Sequence, residues 1–196
     1  MTAPLNDLMM DYPLTLTQFF GRSQRLWAKK TLSTRVPGRP LFQYTYADFA
    51  ERTQRLAGAL QALGVKKGDR VATLAWNSHR HLELYWAVPL MGAVLHTLNF
   101  RLAPKDLAYI VNHAGDSVVF CDASTWPVLE SIRKDCPKIR QVVVMKDTPE
   151  AEVPAGACAS GVSFITTTWR ILGQSLRIDS STGHVLVSQK RRESPA

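Results

Sequence analysis

A chain of 196 residues with 45% apolar side chains has the material for one domain with a real core, plus a tail. It contains no run of about 18 apolar residues that could cross a bilayer, and Asp7 and Asp11 stand where a secretory leader would be basic, so none is expected. The net charge of +8, from 24 Lys and Arg against 16 Asp and Glu, is spread along the chain. Only residues 22–39 are basic without an acid (Arg22, Arg25, Lys29, Lys30, Arg35, Arg39), and they read as a solvated helix face and loop.

Leu16, Phe19, Phe20 and Trp27 fall at helical spacing and predict an amphipathic helix over 15–28, with Thr17, Gln18 and the basic residues on its wet side. Pro37-Gly38 marks a turn between extended pieces at 31–36 and 41–45. Thr45, with Asp48 three residues on, starts the next helix with a capping-box arrangement. Phe49, Leu56, Leu60 and Leu63 share one face of it, and Gly64 stops it.

From there strands and helices alternate. Strands are predicted at 71–76, 93–97, 117–121 and 141–145. Between them lie a helix over 79–91 capped by Asn77-Ser78, a helix opening at Pro104 with Leu107, Ile110 and Val111 inward, and a helix over 126–134. Pro89 should kink or shorten the first of these three. This order implies right-handed crossovers and an α/β fold, a mainly parallel sheet flanked by helices. The pattern fades after Gly156. Residues 157–196 hold 11 Ser and Thr and end in QKRRESPA. The expected division is a partial N-terminal α/β subdomain over 1–150, followed by a linker and a poorly packed or disordered tail over 151–196.

The polar residues give little chemistry. After the strand at 71–76 the turn Asn77-Ser78-His79-Arg80 has no glycine, so a pyrophosphate could not approach the backbone closely. His79 and His81 are two apart, a spacing that turns them to different helix faces, with Glu83 two further on. These two, His96 in a strand and His113 near a helix end, are read as structural histidines. No GxSxG elbow occurs. Ser180-Ser181-Thr182-Gly183 has phosphate-loop residue types but no lysine, and reads as a linker. Tyr85 and Trp86 are read as core rather than as a ligand wall. Cys121, Cys136 and Cys158 have no CxxC spacing, so neither a disulfide framework nor a zinc site is expected, and reduced thiols of a cytoplasmic protein fit best. Nucleic-acid binding through residues 22–39 and 190–192 rests on charge alone, with no groove-reading motif beside it.

The wording is more specific than the chemistry. TYADFAERTQRLAGALQALGVKKGDRVATLAWNSHRHLELYWAVPLMGAVLHTLNFRL at 45–102, and DLAYIVNHAGDSVVFCD at 106–122, resemble the adenylate-forming (AMP-binding) superfamily. Within it they resemble the medium- and long-chain fatty-acid–CoA ligases. HTLNFRL at 96–102 is similar to the family's HTxNxRL, and Arg80-His81-Leu82-Glu83 matches wording of the fatty-acyl branch. The resemblance spans residues 13–147 and stops near Ala155. It implies an N-terminal α/β subdomain of an enzyme that joins a fatty acid to AMP from ATP and then to CoA, with magnesium.

Such enzymes need a Ser/Thr/Gly-rich phosphate loop with a lysine, an acidic magnesium ligand, a ribose-binding aspartate and a lysine in a mobile C-terminal domain. None of these stands in this sequence. The resemblance therefore gives it no catalytic, cofactor-binding or metal-binding residue, and no cofactor of its own. The expectation is a truncated synthetase, inactive alone, cytoplasmic and loosely membrane-associated through its substrate class. Its abrupt change of character suggests a reading-frame change and an early stop. The partners implied are the intact family's fatty acid, ATP and CoA. An alternative is a non-enzymatic module that self-associates or docks on an intact synthetase through its exposed sheet edge.

Overall fold

The computed structural model describes residues 15–36 and 38–145, and the backbone of 176–178 and 185–187. In chain order the elements are α1 (Leu16–Trp27), β1 (Thr31–Thr34), β2 (Phe42–Thr45), α2 (Tyr46–Ala62), β3 (Arg70–Leu74), α3 (His79–Leu90) and β4 (Val94–Thr97). Then come α4 (Pro104–Ala114), β5 (Val118–Asp122), α5 (Trp126–Arg133) and β6 (Gln141–Met145). A separate antiparallel ribbon joins β7 (Leu176–Ile178) and β8 (Val185–Val187). Apart from this ribbon, the residues expected to form the tail lie outside the described residues.

The central sheet has the order β4-β3-β5-β6, and every pairing in it is parallel. Strands β3, β5 and β6 are buried on both faces, and their side chains alternate between two cores, while the edge strand β4 is partly exposed. Val71, Val118, Phe120, Val143 and Met145 meet α2 and α3 on one side. Ala72, Leu74, Val119, Cys121, Val142 and Val144 meet α4 and α5 on the other. The connections β3-α3-β4 and β5-α5-β6 lie on opposite faces because β4 and β6 leave β3 and β5 in opposite directions, and a right-handed crossover then demands opposite sides. A third, aromatic cluster packs Phe20 of α1 and Tyr44 of the β1–β2 hairpin against Phe49 and Leu90. The Phe20 ring lies 5.7 Å from Trp86 and 6.0 Å from Phe49.

Local signals explain the helix ends. Thr45 Oγ1 accepts from Asp48 N–H at 3.1 Å, and Asp48 Oδ2 accepts from Thr45 N–H at 2.9 Å, closing the capping box. The Thr45 hydroxyl, donating to Asp48 Oδ2 at 2.6 Å, and then the Thr45 N–H hold the Asp48 carboxyl below its usual range. At the other end of α2, Gly64 takes φ +81. Its N–H bonds Gln61 O at 2.9 Å and Val65 N–H bonds Leu60 O at 3.0 Å, both bonds of a left-handed glycine stop. Pro104 opens α4, and Pro89 stands in the last turn of α3, which ends one residue later.

Two packing expectations are corrected. Of the apolar row predicted on α1, only Phe20 is buried; Leu16, Phe19 and Trp27 are exposed. The aromatic cluster reaches only the Phe20 flank of the helix. Tyr85, expected in the core, is 45% exposed, because α3 turns Glu83, Leu84, Ala87 and Val88 inward and its Tyr85 flank away. Trp86 does pack, against the aromatic cluster. Strand β3 also ends at Leu74, short of the predicted 71–76, and Trp76 is exposed.

Leu84 is fully buried between α3 and the sheet, whereas Tyr109 is 69% exposed. Leu84→Ala should therefore cost about 2–5 kcal/mol in urea unfolding, and Tyr109→Ala no more than about 0.5 kcal/mol.

Candidate functional site at the carboxyl edge of the sheet

In open parallel sheets, ligands bind where the strand order reverses, outside the carboxyl ends of neighbouring strands. Here the chain runs from β3 to β4 on one side and returns to β5 on the other, so the crevice lies between the ends of β3 and β5. It is closed by hydrogen bonds. The Asp122 carboxylate, at the end of β5 and nearly buried, accepts the Trp76 N–H at 2.6 Å. Thr125, at the start of α5, donates its hydroxyl to Leu74 O at 2.5 Å and lies 3.0 Å from Asp122 O. A phosphate here would meet a carboxylate, and residues 75–78 have no glycine to let it approach the backbone. The residues present do not fit a nucleotide phosphate at this point. Ser78 caps α3, its hydroxyl accepting from His81 N–H at 3.4 Å.

Beside the crevice, 96–102 folds as one unit. Leu98 is buried and bonds through its N–H to Thr73 O at 2.8 Å. Asn99 Oδ1 accepts from Arg101 N–H at 3.0 Å, an Asx turn that carries the chain from β4 towards α4. The Phe100 ring lies 4.6 Å from that of Trp76, and the Arg101 guanidinium stands 5.9 Å from the Phe100 ring centre. Trp76, Phe100 and Arg101 thus form an aromatic and cationic rim on the closed crevice.

The four histidines among the described residues stand in packing roles. His81 is buried, with Nε2 2.9 Å from Thr73 Oγ1, and burial holds it below its ordinary value of 6.5. His79 stacks on Phe42 at 4.2 Å between ring centres. His96 Nδ1 lies 2.8 Å from Oδ2 of the fully buried Asp116, whose carboxyl burial pushes up. His113 stacks on Tyr109. Among the described residues no three His, Cys, Asp or Glu side chains group as metal ligands. Cys121 and Cys136 are buried free thiols. Burial pushes Cys121 up to about 12, which leaves it a core side chain rather than a nucleophile.

The sequence gives no role to a second buried carboxylate. Glu83 is 1% exposed and pairs with Arg52 of α2, Nε to Oε1 at 2.6 Å and Nη2 to Oε2 at 3.2 Å. Burial pushes the Glu83 carboxyl up, while Arg52 and, more weakly, Arg80 oppose the shift. Burial and then the charge of Glu83 push the neighbouring Tyr44 hydroxyl up as well. The pair joins residues 31 apart on two helices, and no local pattern announces it. It ties α2 to α3, and this is a scaffold role. Asp122 and Thr125 had a faint signal, an acid ending an apolar run with a threonine three residues on.

The family model for AMP-binding enzymes matches residues 27–168. The chain belongs to that family. The match extends past Ala155, where the wording was expected to end. The long-chain-fatty-acid–CoA ligase of Thermus thermophilus is 48% identical over 139 residues, covering 71% of this chain and 26% of that protein. The medium-chain-fatty-acid–CoA ligase of Ectopseudomonas oleovorans is 44% identical over 94 residues, 48% of this chain and 17% of that protein. A solved fatty acyl CoA synthetase from Mycobacterium tuberculosis superposes with a TM-score of 0.60 at 28% identity, covering 66% of this chain and 26% of that one. The chain spans about a quarter of the length of the curated ligases it matches. No helix among the described residues is long and apolar enough to cross a membrane.

Arg52→Met should cost about 3–5 kcal/mol at neutral pH, because it leaves Glu83 buried without its cation. Glu83 would then ionise still less readily in the folded state. Stability conferred by its neutral form is present below its unfolded pKa and lost as pH rises, so the loss in urea titrations should be smaller near pH ~5 than near pH ~8. Glu83→Gln, which leaves only a partly exposed Arg52, should cost less.

His81 gives the opposite slope. Its folded pKa lies below the unfolded 6.5, so its contribution is present above that value and lost as pH falls through the folded pKa. His81→Gln should flatten the fall of the thermal midpoint below about pH 6.5 relative to the parent chain.

Proposed function

We propose that this chain carries the N-terminal scaffold of an ATP-dependent fatty-acid–CoA ligase. The observation that carries the reading is the 48% identity with the Thermus ligase across 71% of the chain. The local geometry supports it, because residues 96–102 serve distinct structural ends. His96 pairs with Asp116, Leu98 fills the core, Asn99 makes the turn, and Phe100 with Arg101 builds the rim.

The scaffold's work is positional. Joining an anionic carboxylate to ATP brings negative charges together, and this must be offset by cations and by donors aimed at the developing charge. Magnesium, when bound, supplies part of that offset. This sequence has no Ser/Thr/Gly-rich loop with a lysine to supply the rest. The described crevice is closed by Asp122, and what the chain offers is a rigid sheet whose carboxyl rim presents Trp76, Phe100 and Arg101. The chain alone therefore does not form acyl-adenylate. Fatty acid, ATP and CoA are the substrates of the assembled ligase, in the cytoplasm. The exposed Val94 on β4, an edge strand of the described sheet, supports docking on an intact synthetase as a second use of the same scaffold.

Two measurements test the reading. Fatty-acid-dependent ATP–pyrophosphate exchange by the purified chain should be at background, and clear exchange would show that the chain is active alone. Residues 27–145 placed in the corresponding segment of the Thermus ligase should retain acyl-CoA formation within about tenfold, or about 1.4 kcal/mol of barrier. A folded chimera without activity would overturn the scaffold assignment.

A further inference from the structure

The edge of the sheet opposite the crevice gathers charge of one sign. In a parallel α/β sheet the helix before each strand ends at that strand's amino end. Residues 66–70 and 134–140 lead into β3 and β6 there. They hold six cations (Lys66, Lys67, Arg70, Lys134, Lys138, Arg140), all exposed, and two acids (Asp69, Asp135). Arg70 and Arg140 stand in one row, because Val71 and Gln141, the next residues, are both in register with Val118. Ser117 lies between them, its carbonyl accepting the Arg140 N–H at 2.9 Å. Two strand spacings set the two arginine Cα atoms roughly 10 Å apart. Alternation puts both on the side of α4 and α5, since Val71 points to the other core and Val142 to this one. There Arg70 and Lys138 converge over Gly115: a Cβ on that glycine would stand 3.3 Å from Arg70 Nη2 and 3.9 Å from Lys138 Nζ.

Local structure accounts for part of this charge. Gly115 caps the carboxyl end of α4, which carries about half a negative charge. Asp116 beside it is buried and bonded to His96, and Asp69 accepts the Lys66 N–H at 2.8 Å. Three carboxylates thus face six cations, and two of the three are already bonded within the chain. Among the described residues none of the six cations makes an ion pair.

The chemistry selects the partner. Among residues 66–70, 91–94, 115–118 and 138–141 the exposed large apolar side chain is Val94, paired in register with Arg70. No aromatic ring stands among them to stack a base, and the elements end at this edge rather than project from it into a groove. A carboxylate accepts two bonds at once from the planar fork of an arginine. On a helix, carboxylates two turns apart share a face at roughly 10.5 Å, which matches the arginine row. On a strand, residues of one face recur at roughly 7 and 14 Å, which does not.

We propose that the amino edge of the sheet docks an acidic helix of a partner protein. Arg70 and Arg140 take carboxylates two turns apart, Lys138 takes one between them, and Val94 lies at the border. Association through exposed charges is rapid and weak. The surface is remote from the carboxyl rim, so the proposal does not rest on the ligase reading.

The test is fluorescence anisotropy of the full chain with two labelled alanine-based peptides of about 20 residues. In one, glutamates recur at steps of three and four along one helix face; in the other the same residues are reordered so that the glutamates encircle the helix. The first should bind, with affinity falling as salt rises, and the second should bind about fivefold more weakly. Lys138→Gln with Arg140→Gln should weaken the first peptide about tenfold, with the urea midpoint unchanged because both side chains are exposed. Arg22→Gln with Arg25→Gln removes the same charge from α1 and should change binding by less than about twofold.

No binding of the first peptide would overturn the proposal. Equal binding of the two peptides, or an equal loss in the α1 variant, would do the same. So would a DNA duplex that binds through Lys138 and Arg140 while the peptide does not, since it would give the edge to nucleic acid. None of these results bears on acyl-CoA formation by the chimera, so the two readings fail separately.

Discussion

The whole structure depends on a parallel sheet whose strands β3, β5 and β6 are dry on both faces. A parallel ladder needs crossovers, crossovers bring helices, and helices must bury the sheet from above and below. Alternate residues of β5 show the constraint at work. Val118 and Phe120 point into one core, Val119 and Cys121 into the other, and all four are at most 2% exposed. With no wet face on these strands, the polar groups of the sheet are driven to its edges and ends. This explains why chemistry-bearing side chains concentrate at the carboxyl rim and along α3.

At those places the fold uses charge to lock elements together. Asp122 holds the turn after β3, Glu83 and Arg52 tie α3 to α2, and His96 ties β4 to Asp116 at the start of β5. Each of these carboxylates is buried or nearly so. Such pairs are costly to break but give little net stability, so their use lies in fixing one arrangement of helices and strands. In a ligase of this family, that fixed arrangement would deliver the Trp76–Phe100–Arg101 rim in one orientation to the remainder of the enzyme.

The aromatic cluster below α3 does related work for α1. Phe20 docks on Phe49 and Trp86, while Leu16, Phe19, Leu26 and Trp27 beside it stay in water. One apolar face of the helix thus has residues with different fates. The periodicity of Leu16, Phe19, Phe20 and Trp27 shows that the helix is amphipathic, but it contains nothing about which flank the body covers. That choice is made by Tyr44 and Phe49, which arrive from the hairpin and from α2.

The sequence by itself determined the order of strands and helices, the capping box at Thr45, the stop at Gly64 and the family wording, because each rests on contacts within a few residues. It also separated His79 from His81, which cannot share a helix face at a spacing of two. Only the tertiary structure decided that Glu83 meets Arg52, that Asp122 closes the switch point, and that Phe19, Leu26 and Tyr85 remain exposed. Those outcomes depend on where a crossover sets one helix against another, and on which rows of side chains the neighbouring layer is wide enough to cover. Chain-local periodicity records neither distance.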